Sequence, residues 1–214
     1  MSDNRQVSQH YFTQDPAVAS RPVPVRIALR GIDVNLASDR GVFSYGRLDH
    51  GSEVLLRSVP DPPADELLDL GCGYGPIAIT MALLAPTSRV WAVDVNRRAL
   101  DLTQRNAAAA GTGNVVAVPP EAVPLDLTFG AIYSNPPVRL GKQPLHALML
   151  QWLPRLHSGG SAYLVVQRHL GGDTLAAWLG AEGYAVKRAR SRQGYRLLEV
   201  RSGPASPHDG ARDS

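Results

Sequence analysis

Residues 67–77 read LLDLGCGYGPI: Leu67 and Leu68 are apolar, Asp69 stands near the end of the run, and Gly71, Gly73 and Gly75 recur at every second position. The stretch reads as a buried strand that enters a glycine turn and then a helix. Three glycines so close together cost backbone entropy on folding, which makes sense where the chain must turn sharply and approach a ligand. Pro76 suits the first helical position, where its missing N–H is not needed. The helix start is expected to offer free N–H groups to a negative group.

A glycine turn after a strand is a weak signal by itself. Its spacing narrows the reading. The pattern is G-x-G-x-G, whereas a dinucleotide pyrophosphate calls for G-x-G-x-x-G. The next apolar run, RVWAVDV over Arg89–Val95, carries Asp94. A doubly wound fold places a carboxylate for ribose hydroxyls about 20 residues beyond its glycine turn. A cofactor containing a nucleoside is therefore favoured over NAD.

Outward from this unit the chain alternates strand and helix. Strands are expected over Glu66–Leu70, Val90–Val95, Val115–Val118, Ala131–Ser134 and Ala162–Gln167. Helices are expected over Pro76–Ala85, Arg97–Ala110 with Asn96 as its cap, Leu145–Leu156 and Asp173–Glu182. Ser158-Gly159-Gly160 reads as the turn that follows the third of these helices. A final hairpin spans Tyr184–Arg190 and Tyr195–Arg201 around Gln193-Gly194. Such alternation predicts an α/β fold: a Rossmann-like, doubly wound, seven-stranded and mostly parallel sheet with an antiparallel edge hairpin.

Ahead of it, Val23–Ala37 reads as a small β-hairpin around Arg30-Gly31, and Ser52 as the cap of a short helix carrying Val54, Leu55 and Leu56. Three segments result: an N-terminal extension over 1–60, the main domain over 61–201, and a disordered tail over 202–214. The His10-Tyr11-Phe12 arm is expected to anchor by packing.

Composition bounds the partners. The sequence has 214 residues, 44% of them hydrophobic, and a single cysteine, Cys72. That rules out an internal disulfide framework and a cysteine metal cluster, and no metal is expected. No apolar run is long enough to span a bilayer, and the first residues lack the apolar core of a secretory signal, so a cytoplasmic location is expected. Charge is uneven. Residues 61–138 carry 4 Lys/Arg against 8 Asp/Glu, whereas residues 139–201 carry 10 against 3. A basic last third suits an anionic partner such as RNA. Arg139 and Lys142 are the candidate phosphate contacts, and Arg188, Arg190 and Arg192 alternate so as to share one strand face.

The second chemical signal is Asn135-Pro136-Pro137 at the end of a strand. An asparagine carbonyl and the next backbone carbonyl can both accept from one –NH₂ group. Two such acceptors localise the nitrogen lone pair as the amine becomes tetrahedral, which stabilises charge where it develops.

Taken together, HYFTQDP, GVFSYGRLDHGSEVLL, LLDLGCGYGPIAI, DVNRRAL, SNPPVRLGK and QGYRLLEV, in that order between His10 and Val200, resemble class I S-adenosylmethionine-dependent methyltransferases. The similarity is closer to the small-subunit ribosomal RNA guanine-N2 methyltransferase family, in its short single-domain branch. The resemblance implies S-adenosyl-L-methionine as cofactor, with Asp69, Gly71, Gly73 and Gly75 around its methionine end and Asp94 on the ribose. It implies that Phe43–Ser52 closes over the cofactor, with Phe43, Asp49 and Ser52 as contacts. Glu121 stands where an acid near adenine is usual. Asn135 and Pro136 would bind the target amine. Many amino-methyltransferases stack an aromatic residue after NPP on the base; here that position is Val138. The implied reaction is methyl transfer to guanine N2 of ribosomal RNA. The alternatives are methylation of a protein glutamine amide and a non-catalytic RNA-binding module.

Overall fold

The computed structural model describes residues 15–202. The His10-Tyr11-Phe12 arm and residues 203–214 lie outside the described residues. The chain opens with an antiparallel hairpin, β1 (Val23–Leu29) and β2 (Ile32–Ser38), joined by Arg30 and Gly31, both at positive φ. A short helix, α1 (His50–Leu56), precedes the main sheet.

Then follow β3 (Glu66–Leu70), α2 (Pro76–Leu84), β4 (Arg89–Val93), α3 (Arg97–Ala109), β5 (Val115–Val118) and β6 (Phe129–Ser134). The last elements are α4 (Lys142–Trp152), β7 (Leu156–Gln167), α5 (Gly172–Ala181), β8 (Ala185–Arg192) and β9 (Tyr195–Arg201). The seven strands are ordered β5-β4-β3-β6-β7-β9-β8. Pairing is parallel from β5 to β7 and antiparallel where β9 joins β7 and β8. The expected doubly wound sheet is therefore present, edge hairpin included.

Side-chain alternation divides the core. Leu67, Val90, Ala92, Ala131 and Val165 face one layer, with α1, α2, α3 and the N-terminal hairpin. Leu68, Trp91, Val93, Ile132 and Leu164 face the other, with α4 and α5. Helix α2 is apolar on every side and is accordingly enclosed, from Pro76 through Ala82. Helix α3 is amphipathic and buries Ala99, Leu102, Thr103, Asn106 and Ala107 at helical spacing.

Strand order reverses between β3 and β6. Open α/β sheets bind ligands outside the carboxyl ends of strands at such a point. The glycine turn leaves β3 there, and Asn135 leaves β6 there.

Three local expectations change. Strand β7 starts at Leu156, so Ser158-Gly159-Gly160 lies within it and not in a turn. Phe129 pairs with Leu156 but Ala131 with Ser161, a register shift that absorbs the extra residues. A side chain at Gly160 would come within 2.9 Å of the Phe129 carbonyl oxygen, so glycine permits that close approach of β6. Secondly, Asp49 and not Ser52 caps α1, its carboxylate accepting from the Ser52 N–H. Thirdly, a bulge at Ala189 breaks the arginine stripe. Arg188 pairs opposite Leu198 and Arg190 opposite Leu197, two residues of opposite sheet faces, so Arg188 and Arg190 diverge. The side chain of Arg192 lies outside what the structure describes.

Asn106 pins the hairpin to this core. Buried on α3, it accepts from the Ala37 N–H at 2.8 Å and donates to the carbonyls of Ala37 and Tyr74, both at 2.8 Å. Asn106→Ala strips partners from three backbone groups. It should cost about 2–4 kcal/mol in urea-induced unfolding, the scale for leaving buried polar groups unpaired.

Candidate active site

The glycine turn is built to expose space rather than N–H groups. Gly71, Gly73 and Gly75 have φ of 81°, 58° and 89°, a region that side chains avoid. Their donors point inward. The N–H groups of Gly71 and Cys72 both bond the Val93 carbonyl, at 2.8 and 3.0 Å, that of Gly75 bonds the Cys72 carbonyl at 2.9 Å, and that of Gly73 bonds Asp94 Oδ2 at 2.9 Å. At the helix start, the Ala78 N–H donates to Asp69 Oδ2 at 2.9 Å. An ideal Cβ at Gly71 meets nothing within 4 Å, and one at Gly73 meets only Val42 at 4.0 Å, so the cradle opens onto free volume.

Two carboxylates lie beneath it. Asp69 is buried, and its Oδ1 has no hydrogen-bond partner. Burial pushes this carboxyl up to about 8; the Ala78 N–H opposes the shift and the neighbouring Asp94 adds to it. Asp94 follows β4 and bonds the N–H groups of Gly73 and Asn96 through separate oxygens. Burial raises its carboxyl too, against those two donors. A cationic ligand group in the cradle would relieve both. The residues therefore fit the methionine end of the expected cofactor, which carries positive charge. Cys72 is buried beside Thr103 with its thiol pushed well up, as suits an inert packing residue.

The cleft brings much of the predicted set together. Phe43, Asp49, Ser52, Gly71, Gly73 and Asn135 share one lining, to which Tyr74 and Ile77 also contribute. Asn135 thus faces the cradle. Its amide is held on one side: Nδ2 donates to Asp49 Oδ2 at 2.7 Å and to Ser52 Oγ at 3.2 Å. A carboxylate only accepts, so the –NH₂ half must face Asp49 and the carbonyl half is left for another group. The carbonyl of Pro136 already accepts the Val138 N–H at 2.8 Å, in an inverse γ-turn about Pro137 with φ −75° and ψ 66°. One lone pair remains on it.

The other candidates stand apart. Gly75 caps α2 against Thr103 and does not line the cleft. Glu121 is exposed in a 3₁₀ turn after β5. Arg139 and Lys142 are exposed just past Asn135, and neither makes a salt bridge among the described residues. Val138, with no ring to stack, packs against the second core layer. Asp49 gains a role that sequence reasoning did not give it. Its spacing three residues before Ser52 was the available signal, since it is the cap-to-N3 spacing of a helix start. Among the described residues, no group of three or more His, Cys, Asp or Glu could hold a metal ion, and no helix is long and apolar enough to cross a membrane.

The Asp69 shift has a measurable consequence. An unfolded aspartate titrates near ~4, so the folded state holds this proton more tightly. Its contribution is full below that value and is lost as pH rises through about 8. Asp69→Asn keeps an acceptor for Ala78 and removes the titration. In thermal melts without ligand, the Asn variant should gain on the wild type from pH 5 to about pH 8 and level off above it. A constant difference across that range would refute the assignment.

The family model described as "Methyltransferase small domain" matches residues 33–199. The uncharacterized protein YbxB of Bacillus subtilis is 32% identical over 199 residues, covering 91% of this chain and 99% of that protein. Ribosomal RNA small subunit methyltransferase C of Hahella chejuensis is 38% identical over 134 residues, covering 61% of this chain and 39% of that protein. Among solved structures, the T. thermophilus 16S rRNA N2 methyltransferase RsmC, in complex with AdoMet and guanosine, superposes with a TM-score of 0.69 at 22% identity. The match covers 87% of this chain and 52% of that one, a likeness of fold. The chain spans about half the length or less of these two RsmC proteins. With a family model matched across most of its length and a relative matched end to end, the chain belongs to the methyltransferase small domain family.

Proposed function

We propose that this protein transfers a methyl group from S-adenosyl-L-methionine to the exocyclic N2 amine of a guanine in small-subunit ribosomal RNA. The observation that carries the reading is the fixed amide of Asn135 beside the glycine cradle. When bound, the cofactor supplies an electrophilic methyl group on a sulfonium. The protein's part is to hold, orient and polarise.

Asn135 Oδ1 and the free lone pair of the Pro136 carbonyl accept the two amine hydrogens. Conjugation of the amine with its ring is thereby weakened, and the nitrogen lone pair turns toward the methyl. Were the methyl to pass from sulfur to this nitrogen, its S–C bond breaking as the N–C bond formed, the two oxygens would meet the growing positive charge without reorganising. The surplus proton leaves to water. The Asp49 carboxylate, behind the amide, polarises it and strengthens Oδ1 as an acceptor.

Three things favour RNA. Arg139 and Lys142 follow the catalytic turn with no acidic partner among the described residues, whereas Arg188 and Arg196 are spent on Asp173 and Arg201 on Glu199. Cations left open beside a reacting centre suit a phosphate backbone. The RsmC relatives are named for ribosomal RNA, and the T. thermophilus structure holds guanosine.

The test uses tritiated cofactor with unmethylated small-subunit ribosomal RNA and a cell extract, followed by separation of RNA from protein. Label is expected in guanine N2 of the RNA. Label in the protein fraction alone would overturn the RNA reading in favour of a glutamine amide. Asn135→Ala should lower kcat about 10²–10³-fold, the cost of deleting one preorganised group at a developing charge. Cofactor affinity by calorimetry should stay unchanged. Asp49→Asn should lower kcat about tenfold, because a neutral amide at 49 no longer dictates which half of Asn135 faces the substrate.

A further inference from the structure

Gly51 marks a crossing of three side chains. A methyl group placed on it would lie 2.9 Å from Asp49 Oδ2, 2.9 Å from Tyr195 Cε1 and 3.2 Å from Asn135 Nδ2. Gly51 lies within α1, where its backbone asks for nothing special. What its lack of a side chain provides is room for the Tyr195 ring to reach the clamp that orients Asn135.

Tyr195 opens β9 directly opposite Gln167, the last residue of β7. Gln167 Nε2 donates to the Tyr195 hydroxyl at 2.8 Å, which fixes the ring. The ring is half-buried against the first core layer. Its hydroxyl accepts from Gln167 and still carries a proton of its own to give.

Topology says which ligand lies here. The glycine cradle and Asp94 belong to β3 and β4, on one side of Asn135. The cofactor's half of the cleft is therefore over β3 and β4. A ring whose amine reaches Asn135 from the opposite side extends over β7 and β9, where Gln167 and Tyr195 stand. Val138 offers that ring no face, and Phe43 lines the cradle side.

We infer that Tyr195, with its hydroxyl held by Gln167, is the substrate-side wall that places the amine-bearing base against Asn135. The inference rests on the proposed function and adds a specificity residue to it. A base packed on this ring is confined to the approach in which its amine meets Asn135.

Two variants separate bulk from aromaticity. Tyr195→Leu keeps volume against Gly51 and removes the ring; Tyr195→Phe keeps the ring and removes the hydroxyl. Steady-state methylation of an unmethylated small-subunit ribosomal RNA transcript is measured with cofactor affinity by calorimetry. Tyr195→Leu should raise the RNA KM about tenfold, within the range for losing one base-stacking aromatic, with cofactor affinity within about twofold of wild type on the same scale. Tyr195→Phe should restore most of the KM. A wild-type KM in Tyr195→Leu overturns the inference while leaving the proposed function intact. So does an equal loss of RNA and cofactor affinity in both variants, the signature of a merely structural ring. A wild-type protein that methylates no RNA overturns the proposed function, and the inference with it.

Discussion

One hydrogen bond organises the candidate site: Asn135 Nδ2 to Asp49 Oδ2 at 2.7 Å. A primary amide is close to symmetric in shape and opposite in character at its two ends. Left alone, Asn135 could present either a donor or an acceptor to the cleft, and only the acceptor can hold an amine. The carboxylate removes that choice, since it has no hydrogen to give. The same aspartate caps α1 through the Ser52 N–H. Ser52, at the third helical position, then has its hydroxyl free to take the second amide hydrogen. A helix start on one segment and a strand end some 80 residues later are thereby made into one device.

That dependence explains how the described residues ahead of the main sheet pack. Hairpin residues Val25, Ile27, Leu29 and Leu36 and helix residues Val54, Leu55 and Leu56 lie in the same hydrophobic cluster as the glycine turn and α2. Two buried asparagines on α3 secure the join. Asn96 caps its own helix through Oδ1 and donates to the Gly41 carbonyl at 2.7 Å. Asn106 takes both backbone groups of Ala37. Tyr74, inside the glycine turn, donates to the Arg47 carbonyl at 3.0 Å. Phe43 and Asp49, which border the cleft, are thus held between fixed points.

Period and punctuation made most of this legible before any coordinates. Leu67 and Leu68 before three glycines, Pro76 after them and Asp94 beyond located the cradle, and the NPP run located the amide. Alternation of apolar runs gave the sheet and its edge hairpin. What stayed hidden shares one physical origin: it depends on partners distant in sequence. Ser158-Gly159-Gly160 has turn chemistry, yet pairing with β6 draws it into a strand. The bulge at Ala189 is one residue long and leaves no mark on the alternation of Arg188, Arg190 and Arg192. Asp49 and Ser52 are both good caps, and Asn135 lies too far along the chain to show that its amide bonds both, Asp49 Oδ2 and Ser52 Oγ. Tyr195 opens a strand like any other aromatic residue in sequence, and its place depends on Gly51, 144 residues earlier, leaving room for its ring.

The charge beneath the cradle completes the account of which ligand fits there. Phosphate-binding turns point unpaired N–H groups outward at an anion. Here the N–H groups of Gly71, Cys72, Gly73 and Gly75 are consumed by the protein, and that of Ala78 by Asp69. In their place the turn sits over two carboxyl groups, both raised by burial, with Asp94 adding to the shift of Asp69. A pyrophosphate would meet these acids beneath glycines whose own donors are taken. A molecule carrying an ammonium or a sulfonium would meet an environment that gains by its arrival, because each buried carboxylate ionises more readily beside a cation. The G-x-G-x-G spacing therefore does more than tighten a turn: it lets the backbone close on itself, hides its own donors, and leaves Asp69 and Asp94 to set the sign of what may bind.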